Sequence, residues 1–496
     1  MNCRWPGVVC QRTKGRRSKK KAGRSKYNTC VIRRAAAVAA AKATATLSRR
    51  FRLGGGTALP GLVAERIEPS LVSELAAELG QGCVLVTGTN GKTTTARFIR
   101  SIAKAAALKA VANRAGSNMM RGIGSALVDA ADWSGELSSA EKRLGIFEVD
   151  EATLPHAARA LRPRAVLFTN LFRDQLDRYG EVEHVAQVWR TAVSGLPDGV
   201  VVVLNVDDPS VASLAEVATG PVVTYGIKDT SSGVGNLEHA ADARWCVSCG
   251  AELAYSAVCY GHLGHWRCSQ CGKSRPEPDI TCGRVDDVDG GLRLILWMTE
   301  GEVKARLPLS GLYNAYNALA AAAAAQALNL DRIAIERGLN SFTAAFGRQE
   351  RMRVAGREVQ VILAKNPAGL NQVLRTITAG ESQANLVLFL NDNIADGRDV
   401  SWIWDVDFEV LVGKTRSVTV SGIRAWDMAL RLKYAGLYRD GVSPQVEPDA
   451  AAALKQALAA TPESGTLYVI PTYTAMLQVR ELLARWAGRG AFWEAE

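Results

Sequence analysis

The sequence predicts an α/β protein in which a phosphate-binding-loop domain with an inserted zinc ribbon precedes a second, Rossmann-like α/β domain. A glycine-rich loop stands between a short apolar run and a helical pattern near residue 90. Two Cys-x2-Cys pairs follow it, and four strand-then-helix units lie beyond residue 346. We therefore expect an extension at 1–50, the loop domain at 51–345 with the ribbon at 244–274, and the Rossmann-like domain at 346–496.

The positive charge of the chain is concentrated at its beginning. The formal net charge is +11, but residues 1–52 contain 16 Lys and Arg with no Asp or Glu. The remaining residues carry 44 basic and 49 acidic side chains, so the folded body is mildly acidic. We expect residues 1–30 to be a solvated extension rather than a lipid-binding arm, and the segment from Val31 to Leu47 to be helical. No stretch supplies the roughly 18 consecutive apolar residues of a membrane span.

The segment LVTGTNGKTTTARF, from Leu85 to Phe98, is typical of a loop that binds nucleotide phosphates. Glycines let the backbone turn and direct N–H groups at phosphate oxygens, Lys92 can reach the outer phosphates, and the Thr93 hydroxyl can coordinate Mg²⁺. The strict P-loop pattern has glycine at the position of Val86, so this loop is a variant. The predicted nucleotide-binding residues of the loop are Gly88, Thr89, Asn90, Gly91, Lys92, Thr93 and Thr94.

An acidic turn after a second apolar run is predicted to hold the magnesium ion. The run from Leu144 to Glu148 continues into Asp150 and Glu151, as expected where a strand leaves the sheet at its ligand-binding edge. Mg²⁺ prefers hard oxygen ligands, so Glu148 is the first candidate and Asp150 the second. A solvated acidic turn is the alternative, but the accompanying nucleotide loop favours the metal.

Two Cys-x2-Cys pairs, separated by eighteen residues, predict a metal site. This spacing is typical of a zinc ribbon in which four thiolates bind Zn²⁺. The predicted ligands are Cys246, Cys249, Cys268 and Cys271. Four thiolates close the coordination shell, so we expect the Zn²⁺ to be structural. Two histidines inside the ribbon, His262 and His265, are accordingly expected at the surface.

The second predicted domain has an acidic strand edge and lacks a glutaminase pair. Its second strand ends near Leu390, and four carboxylates with two tryptophans between them follow: Asp392, Asp396, Asp399 and Asp405. Carboxylates and aromatics at such an edge indicate a site or a docking surface, with a solvated loop as the alternative. The sequence has no Cys after Cys282 and no His after His265, so this domain cannot activate a thiolate to hydrolyse glutamine.

Several motifs resemble the ATPase domain of the Mur ligase family. They are GTNGKTT, VLFTNLFRDQLDRYGE (166–181), VLNVDDP (203–209), GLYNAYNALAA (311–321) and FGRQE (346–350), in the family's order and spacing. This family joins a carboxylate to an amine through an acyl phosphate made with ATP and Mg²⁺. The resemblance implies that Asn314 and Asn317 lie beside the nucleotide and that Arg348 reaches its phosphates. Where amino-acid-adding members usually have a histidine, this chain has Gln175.

The ribbon, Gln175 and the phrases AKNPAGLNQ, NDNIADGRDVSWIWD and IPTYTAM resemble one branch, the ligase-like subunits of lipid II isoglutaminyl synthases. The resemblance implies ATP-dependent amidation of the D-glutamate α-carboxylate in the lipid II stem peptide, giving D-isoglutamine for peptidoglycan. It also implies a GatD-type glutamine amidotransferase partner, whose Cys–His pair an aspartate of this chain completes. We assign Asp396 to that role, with Asp399 second. We expect a cytoplasmic protein that meets the membrane surface at its lipid-linked substrate.

Two other functions are open at this point. An ordinary amino-acid-adding ligase of the Mur or folylpolyglutamate type would consume a free amino acid and need no glutaminase. The roughly thirty residues between the basic tail and the loop strand are too few for a UDP-binding domain. A nucleic-acid-binding ATPase would explain the basic tail and the ribbon, but residues 246–271 contain Arg267 as their one Lys or Arg.

Overall fold

A computed structural model describes most of the chain, in two compact units. The described residues are 20–50, 58–114, 116–174, 182–231, 233, 237, 241–288, 290–343, 348–380, 383–439 and 443–488. Among these described residues, the first unit contains those within 1–83, 109–148 and 159–162, and the second contains those within 84–108, 149–158 and 163–496. The predicted residue Gln175 lies outside the described residues, as does the basic tail before residue 20.

Helices and strands alternate along most of the described chain, as predicted for an α/β protein. The helices are α1 Lys20–Arg50, α2 Leu59–Ile67, α3 Leu71–Ala77, α4 Lys92–Ala105, α5 Met120–Ala130, α6 Leu154–Leu161, α7 Val182–Ser194, α8 Pro209–Ala212, α9 Leu312–Ala327, α10 Arg332–Asn340, α11 Pro367–Thr378, α12 Ala425–Tyr434, α13 Ala450–Ala460 and α14 Tyr473–Trp486. The strands are β1 Cys83–Thr87, β2 Lys109–Ala112, β3 Arg143–Glu148, β4 Ala165–Phe168, β5 Val201–Asn205, β6 Val222–Ile227, β7 Leu253–Tyr260, β8 Leu263–Cys268, β9 Ile280–Val288, β10 Gly291–Met298, β11 Gly301–Leu307, β12 Arg348–Val354, β13 Arg357–Ile362, β14 Ala384–Phe389, β15 Thr415–Ser421, β16 Gln445–Val446 and β17 Thr466–Pro471.

The first unit packs the long helix α1 against α2 and α5 and contains the parallel pair β2–β3. Ala37, Val38 and Ala41 of α1 are fully buried, because small side chains let neighbouring helices approach closely. The helix begins at Lys20, earlier than the predicted start at Val31. The added segment, residues 20–30, contains three Lys, one Arg and one Ala, which are good helix formers and favour this earlier start.

The larger sheet of the second unit has the strand order β11-β10-β9-β6-β5-β4-β1. β1, β4, β5, β6 and β9 run parallel, whereas β9, β10 and β11 form an antiparallel meander. All five residues of β1 are buried, which explains its continuous apolar run. The helix α9 packs on this sheet with every residue from Ala320 to Ala325 buried. Within the described residues, no helix combines the length and apolar character needed to cross a membrane.

The predicted ribbon is an antiparallel hairpin of β7 and β8, inserted between β6 and β9. Its small apolar cluster contains Cys246, Cys268 and Trp266 of the ribbon. The same cluster contains Val206 and Ala212, which follow the central strand β5. The ribbon therefore shares its packing with the larger sheet rather than folding around its cysteines alone.

The C-terminal domain is a second sheet with the order β12-β13-β17-β14-β15-β16, parallel except for the β12–β13 pair. Leu386 and Leu388 of β14 belong to one apolar core, whereas Val387 and Phe389 belong to another, because alternate residues of a strand face opposite sides. Three of the predicted strand-then-helix units are present. The exception is the second unit along the chain, in which 3-10 turns follow β14 in place of the predicted helix. The strand β16 and the helix α13 form an additional strand-then-helix unit that was not predicted.

Candidate nucleotide site and metal centre

The loop between β1 and α4 depends on two glycines. Gly88 and Gly91 have φ angles of +132° and +87°, in the region that favours glycine. A Cβ on Gly88 would lie 1.9 Å from Thr169 Oγ1, and a Cβ on Gly91 would lie 2.1 Å from Asn317 Oδ1. The loop therefore needs glycine for both its conformation and its space, and this close approach brings two predicted nucleotide residues together.

Hydrogen bonds from the residues after β4 fix the shape of the loop. The Asn170 carbonyl oxygen accepts from the Thr89 amide (2.9 Å), and Asn170 Oδ1 accepts from the Asn90 amide (2.9 Å). Thr169 Oγ1 donates to the Asn90 carbonyl oxygen (2.8 Å). The Thr89 hydroxyl accepts from the Phe172 amide (2.9 Å) and donates to its carbonyl (3.0 Å). The neighbouring segment thus preorganises the loop before any ligand binds.

Lys92 lies in a buried ion pair at the start of α4. Its Nζ donates to Glu151 Oε1 (2.7 Å) and to the carbonyl oxygens of Gly88 and Thr89, the latter at 3.3 Å. The Lys92 and Glu151 side chains are only 10% and 9% exposed. The sequence predicted Glu148 and Asp150 as metal ligands but no role for Glu151. A buried carboxylate next to the phosphate-loop lysine fixes the position of its positive charge.

A cleft with a volume of about 100 Å³ opens beside the loop. Of the predicted nucleotide residues, it is lined by Asn90, Gly91, Thr94, Asn314 and Asn317. Asn317 Nδ2 donates to Asn314 Oδ1 (3.2 Å), which orients the two amides of α9 relative to each other. Other residues line the cleft that the sequence motifs did not predict, among them Asn170, Tyr260, Tyr313 and Gln372. The amides and aromatic rings of this cleft suit a ligand with both polar and flat apolar parts.

The C-terminal domain contributes to the same cleft. Ile362, Leu363, Gly369, Gln372 and Val373 line it. Asn366, just before α11, donates through Nδ2 to Asn90 Oδ1 (2.9 Å). Lys365 forms an ion pair with Asp174. A ligand in the cleft would therefore contact both sheets of the second unit.

The predicted magnesium ligands are all buried, at 8% exposure for Thr93, 5% for Glu148 and 4% for Asp150. The Glu148 amide donates to Asn113 Oδ1, and Asn113 Nδ2 donates to the Glu148 carbonyl oxygen, both at 2.9 Å. Asp150 Oδ1 accepts from the Ala152 amide (3.3 Å). This burial excludes the solvated acidic turn that the sequence left as an alternative.

The four predicted cysteine ligands come together. Their sulfur atoms all lie within 4.8 Å of one another. The Cys246 and Cys271 sulfurs are 3.6 Å apart, and those of Cys249 and Cys268 are 3.5 Å apart. The Cys271 backbone N–H points at the Cys268 sulfur (3.4 Å) and, with the Gln270 amide and the neighbouring thiols, lowers the pKa of that thiol to about 6. Thiolates at these distances can bind a metal ion.

The expectation that the ribbon histidines lie at the surface is wrong for His262. Its side chain is fully buried, and its ring lies 4.3 Å from the Phe172 ring, centroid to centroid. Its Nε2 lies 3.3 Å from Asp208 Oδ2, and His265 Nε2 lies 2.9 Å from the Ile227 carbonyl oxygen. Spacing within the ribbon could not reveal these contacts, because they come from the larger sheet.

The carboxylates after β14 do not form one cluster. Asp392 pairs with Arg424 (3.1 Å), and Asp405 pairs with Arg173 (3.3 Å). Asp396 is buried, and its carboxylate accepts from the amide (2.8 Å) and the hydroxyl of Thr474 in the first turn of α14. Asp399 is exposed and accepts from the Ser401 amide (2.8 Å). Each acid therefore has a different partner, and that of Asp405 comes from the segment after β4.

Exposed apolar side chains accompany this edge of the C-terminal sheet. Ile394 is 80% exposed in the loop after β14. Trp426, Leu430 and Tyr434 lie four residues apart along α12 and are 69%, 48% and 71% exposed. Side chains at this spacing share one face of a helix. The face is an apolar stripe of the kind that marks interaction surfaces.

Comparison with known proteins agrees with these features. The family model described as "MurT ligase C-terminal" matches residues 363–476, and that described as "Mur ligase middle domain" matches residues 86–248. The chain is 34% identical over 434 residues to "Lipid II isoglutaminyl synthase (glutamine-hydrolyzing) subunit MurT" of Staphylococcus aureus (strain COL), covering 87% of this chain and 93% of the relative. It is 33% identical over 438 residues to the protein of the same name from Streptococcus pneumoniae, with the same two coverages.

Solved structures share the fold. A pseudomurein peptide ligase type C from Methanothermus fervidus has a TM-score of 0.60 and 23% identity, covering 81% of this chain and 78% of that one. A folylpolyglutamate synthase from Mycobacterium tuberculosis, solved with ADP and AMPPCP, has a TM-score of 0.56 and 17% identity, covering 85% and 95%. The predicted Mur ligase-type architecture is confirmed.

Proposed function

The chain belongs to the MurT family, and on that premise we propose that it activates and amidates the α-carboxylate of D-glutamate in the lipid II stem peptide. ATP is the energy source, D-isoglutamine is the product, and the reaction serves peptidoglycan synthesis. The observation that carries this proposal is the cleft where Asn90, Gly91, Asn314 and Asn317 meet beside the buried Lys92. Those are the residues that the motifs predicted for the nucleotide.

The chemistry explains why ATP is needed. A carboxylate is a poor electrophile, since its leaving group would be oxide or hydroxide. In the proposed reaction, a carboxylate oxygen attacks the γ-phosphorus of ATP, and ADP leaves. Ammonia then attacks the carbonyl carbon of the acyl phosphate, inorganic phosphate leaves, and the nitrogen loses a proton to give the amide.

The loop residues would serve the first of these steps. The Lys92 ammonium would offset the charge that develops on the transferred phosphoryl group, together with loop amides other than those of Thr89 and Asn90, which donate to Asn170. A bound Mg²⁺ would neutralise phosphate charge, with the Thr93 hydroxyl as its proposed ligand in this loop. Glu148 belongs to the first unit, so its part in metal binding remains a sequence prediction. The same holds for Arg348 at the phosphates, because its side chain lies outside the described residues.

The nitrogen would come from a partner subunit. We take this partner to be a GatD-type glutamine amidotransferase, because glutaminase chemistry of this class needs a Cys and a His. This chain has neither beyond Cys282, so the C-terminal domain cannot supply that pair. Ammonia released by the partner would then reach the acyl phosphate.

The C-terminal edge is the proposed docking surface for this partner. The apolar stripe of Trp426, Leu430 and Tyr434 would supply buried contact area, since exposed aromatic residues often anchor protein interfaces. One aspartate of the same edge would orient the partner's histidine. Asp396 was the first choice from the sequence, but its carboxylate is buried against Thr474. Asp399 is exposed and is the more accessible of the two.

The thiolate cluster would bind Zn²⁺. Tetrahedral coordination with Zn–S bonds of about 2.3 Å places sulfur atoms about 3.8 Å apart. The observed separations of 3.6 Å and 3.5 Å in two sulfur pairs fit this arrangement. With four protein ligands, the ion would hold the ribbon together and take no direct part in the amidation.

The decisive test uses the full chain without any partner. The chain is incubated with ATP, MgCl₂, lipid II and a high concentration of ammonium chloride, and the stem peptide is analysed by mass spectrometry. We expect the carboxylate to be converted to the amide, a loss of about 1 Da, with one ADP formed per amide. If ADP release instead depends on a free amino acid and no amide forms, the proposal is wrong and the protein is an amino-acid-adding ligase.

A further inference from the structure

The metal-binding ribbon reaches the nucleotide cleft through one side chain. Tyr260 is the last residue of β7, is 2% exposed and lines the cleft. Its hydroxyl accepts a hydrogen bond from Asn90 Nδ2 in the loop between β1 and α4 (3.4 Å). Its ring lies 5.2 Å from the Phe172 ring and 6.3 Å from the Tyr316 ring, centroid to centroid. Tyr260 is therefore both a wall of the cleft and a neighbour of the loop.

Contacts around the hairpin turn hold this tyrosine in place. Gly261 follows it with φ +60°, and a Cβ there would lie 2.5 Å from the Phe172 ring. The Gly264 amide donates to the Asp207 carbonyl oxygen (2.9 Å). The His262 ring lies against the Phe172 ring at an angle of 44°, and its Nε2 faces Asp208. The turn is thus fitted closely against the segments that follow β4 and β5.

The other end of the hairpin carries the cysteine cluster. Two of the cysteines precede β7, and Cys268 ends β8. At about 3.3 Å per residue, the eight residues of β7 span roughly 23 Å between first and last, so the cluster and the turn lie at opposite ends. Between them Trp266 packs with Cys246 and Cys268 and donates from Nε1 to the Val206 carbonyl oxygen (2.9 Å). The hairpin is anchored to the larger sheet along its length.

We infer that the ribbon contributes to ATP binding in two ways. Tyr260 contacts the bound ATP, and metal binding at the opposite end of the hairpin is needed for full ATP affinity. This inference deepens the proposed function and rests on the cleft being an ATP site. A ribbon that served folding alone would not need its turn residue in the ligand cleft. As a cleft-lining side chain, Tyr260 would offer a ligand both a polar hydroxyl and an apolar ring.

Direct binding measurements test the role of Tyr260. The affinity of the full chain for MgATP is measured by isothermal titration calorimetry for the wild type, Tyr260→Phe, Tyr260→Ala and Tyr225→Phe. Tyr225 is the matched control, because its buried hydroxyl donates to the Phe168 carbonyl oxygen in the same domain but does not line the cleft. We expect Kd to rise about 2- to 10-fold for Tyr260→Phe, which loses one hydrogen bond, and more than about 10-fold for Tyr260→Ala. Tyr225→Phe should bind like the wild type.

A second arm tests the link to the metal. The variant Cys249→Ser/Cys271→Ser removes two ligands, and its metal content is measured by atomic emission alongside its Kd for MgATP. We expect metal loss to raise Kd about 10-fold, with the far-ultraviolet circular dichroism of the chain largely retained. Unchanged ATP affinity in the metal-depleted chain would show that the ion serves ribbon folding alone. If the double variant does not fold, the wild type is depleted of its metal with a chelator that is then dialysed away, and an unchanged Kd for MgATP would overturn the link to the metal.

The two proposals can fail separately. A wild-type chain that binds no ATP would refute the proposed function. A wild-type chain that binds ATP, with an affinity that Tyr260→Ala leaves unchanged, would refute only the inference about the ribbon.

Discussion

In the second unit, the residues that follow the strand ends differ between the two sheets. After β1 and β4, polar groups bond mainly to one another, as in the Asn90–Asn170 contacts and the Lys92–Glu151 pair, and they surround a small cleft. After β14 and β15, the acids bond to separate partners, while large apolar side chains such as Ile394 and Trp426 face solvent. The first arrangement suits a small charged ligand and the second suits a protein surface, so substitutions at the two edges should cause different losses.

The largest expected effect separates the two nitrogen sources. Replacing the aspartate that orients the partner's histidine should lower glutamine-dependent amidation by about 10⁴-fold, because the imidazole loses its orientation and its counter-charge. Ammonium-dependent amidation should stay near wild type. Asp396→Asn and Asp399→Asn are assayed with each nitrogen source in the presence of the glutaminase subunit, and the variant with the selective loss identifies the residue.

Thr474→Val is the control for this experiment, since it removes the hydroxyl that bonds to Asp396 without changing a charge. If Asp396→Asn and Thr474→Val behave alike, the effect of Asp396 arises from the start of α14. Equal loss with both nitrogen sources in both aspartate variants would contradict the assignment.

Removing Glu151 should destabilise the nucleotide edge. Glu151→Ala leaves the Lys92 ammonium without its carboxylate in a buried position, and breaking such a pair costs about 3–5 kcal/mol. The free energy of unfolding is obtained from a denaturant titration followed by circular dichroism. Glu183→Ala, at an exposed position of α7, is the matched control and should change it by less than about 0.5 kcal/mol. Similar stability of the two variants would mean that Lys92 does not depend on Glu151.

Removing the charge of Lys92 should affect catalysis with either nitrogen source. Lys92→Met keeps the length of the side chain but loses the ammonium group, and we expect the amidation rate to fall about 10²- to 10³-fold. The rate is measured by ADP release and by amide formation, with ammonium chloride and with glutamine plus the partner subunit. Lys104→Met, on the exposed last turn of the same helix, should remain fully active. If only the glutamine-dependent amidation rate fell, Lys92 would act at the partner interface and not in the chemical step.

The smallest of these effects should appear in partner binding alone. Trp426→Glu introduces a charge into the apolar stripe and should weaken binding of the glutaminase subunit by about 30-fold, or about 2 kcal/mol. Binding is measured by isothermal titration calorimetry, and ammonium-dependent activity should not change. Trp133→Glu, at a tryptophan of the first unit that is 67% exposed, is the matched control. Undiminished binding by Trp426→Glu would place the partner on another surface.

The parts of the site that the sequence predicted are those with a local signature. The GTNGKTT loop and the paired cysteines carry their chemistry in short spacings, and the structure brings both sets together as expected. Asn314 and Asn317 came from the family resemblance and do lie at the cleft. Glu151, His262 and Tyr260 carry no such local pattern. Their positions depend on how the hairpin and the acidic turn pack on distant strands, which no spacing within a motif encodes.

The alanine-rich helix α9 restricts which amino-acid substitutions this protein can accept during evolution. Six consecutive alanines, from Ala320 to Ala325, are buried at 1% exposure or less. Adding methyl groups to so tight a contact typically costs about 1–3 kcal/mol, so even valine would be selected against at most of these positions. The same helix carries Asn314 and Asn317 in its first turns, and its closeness to the sheet sets their distance from the loop. Sequence drift in this helix is therefore expected to be slow, although none of the six alanines lines the cleft.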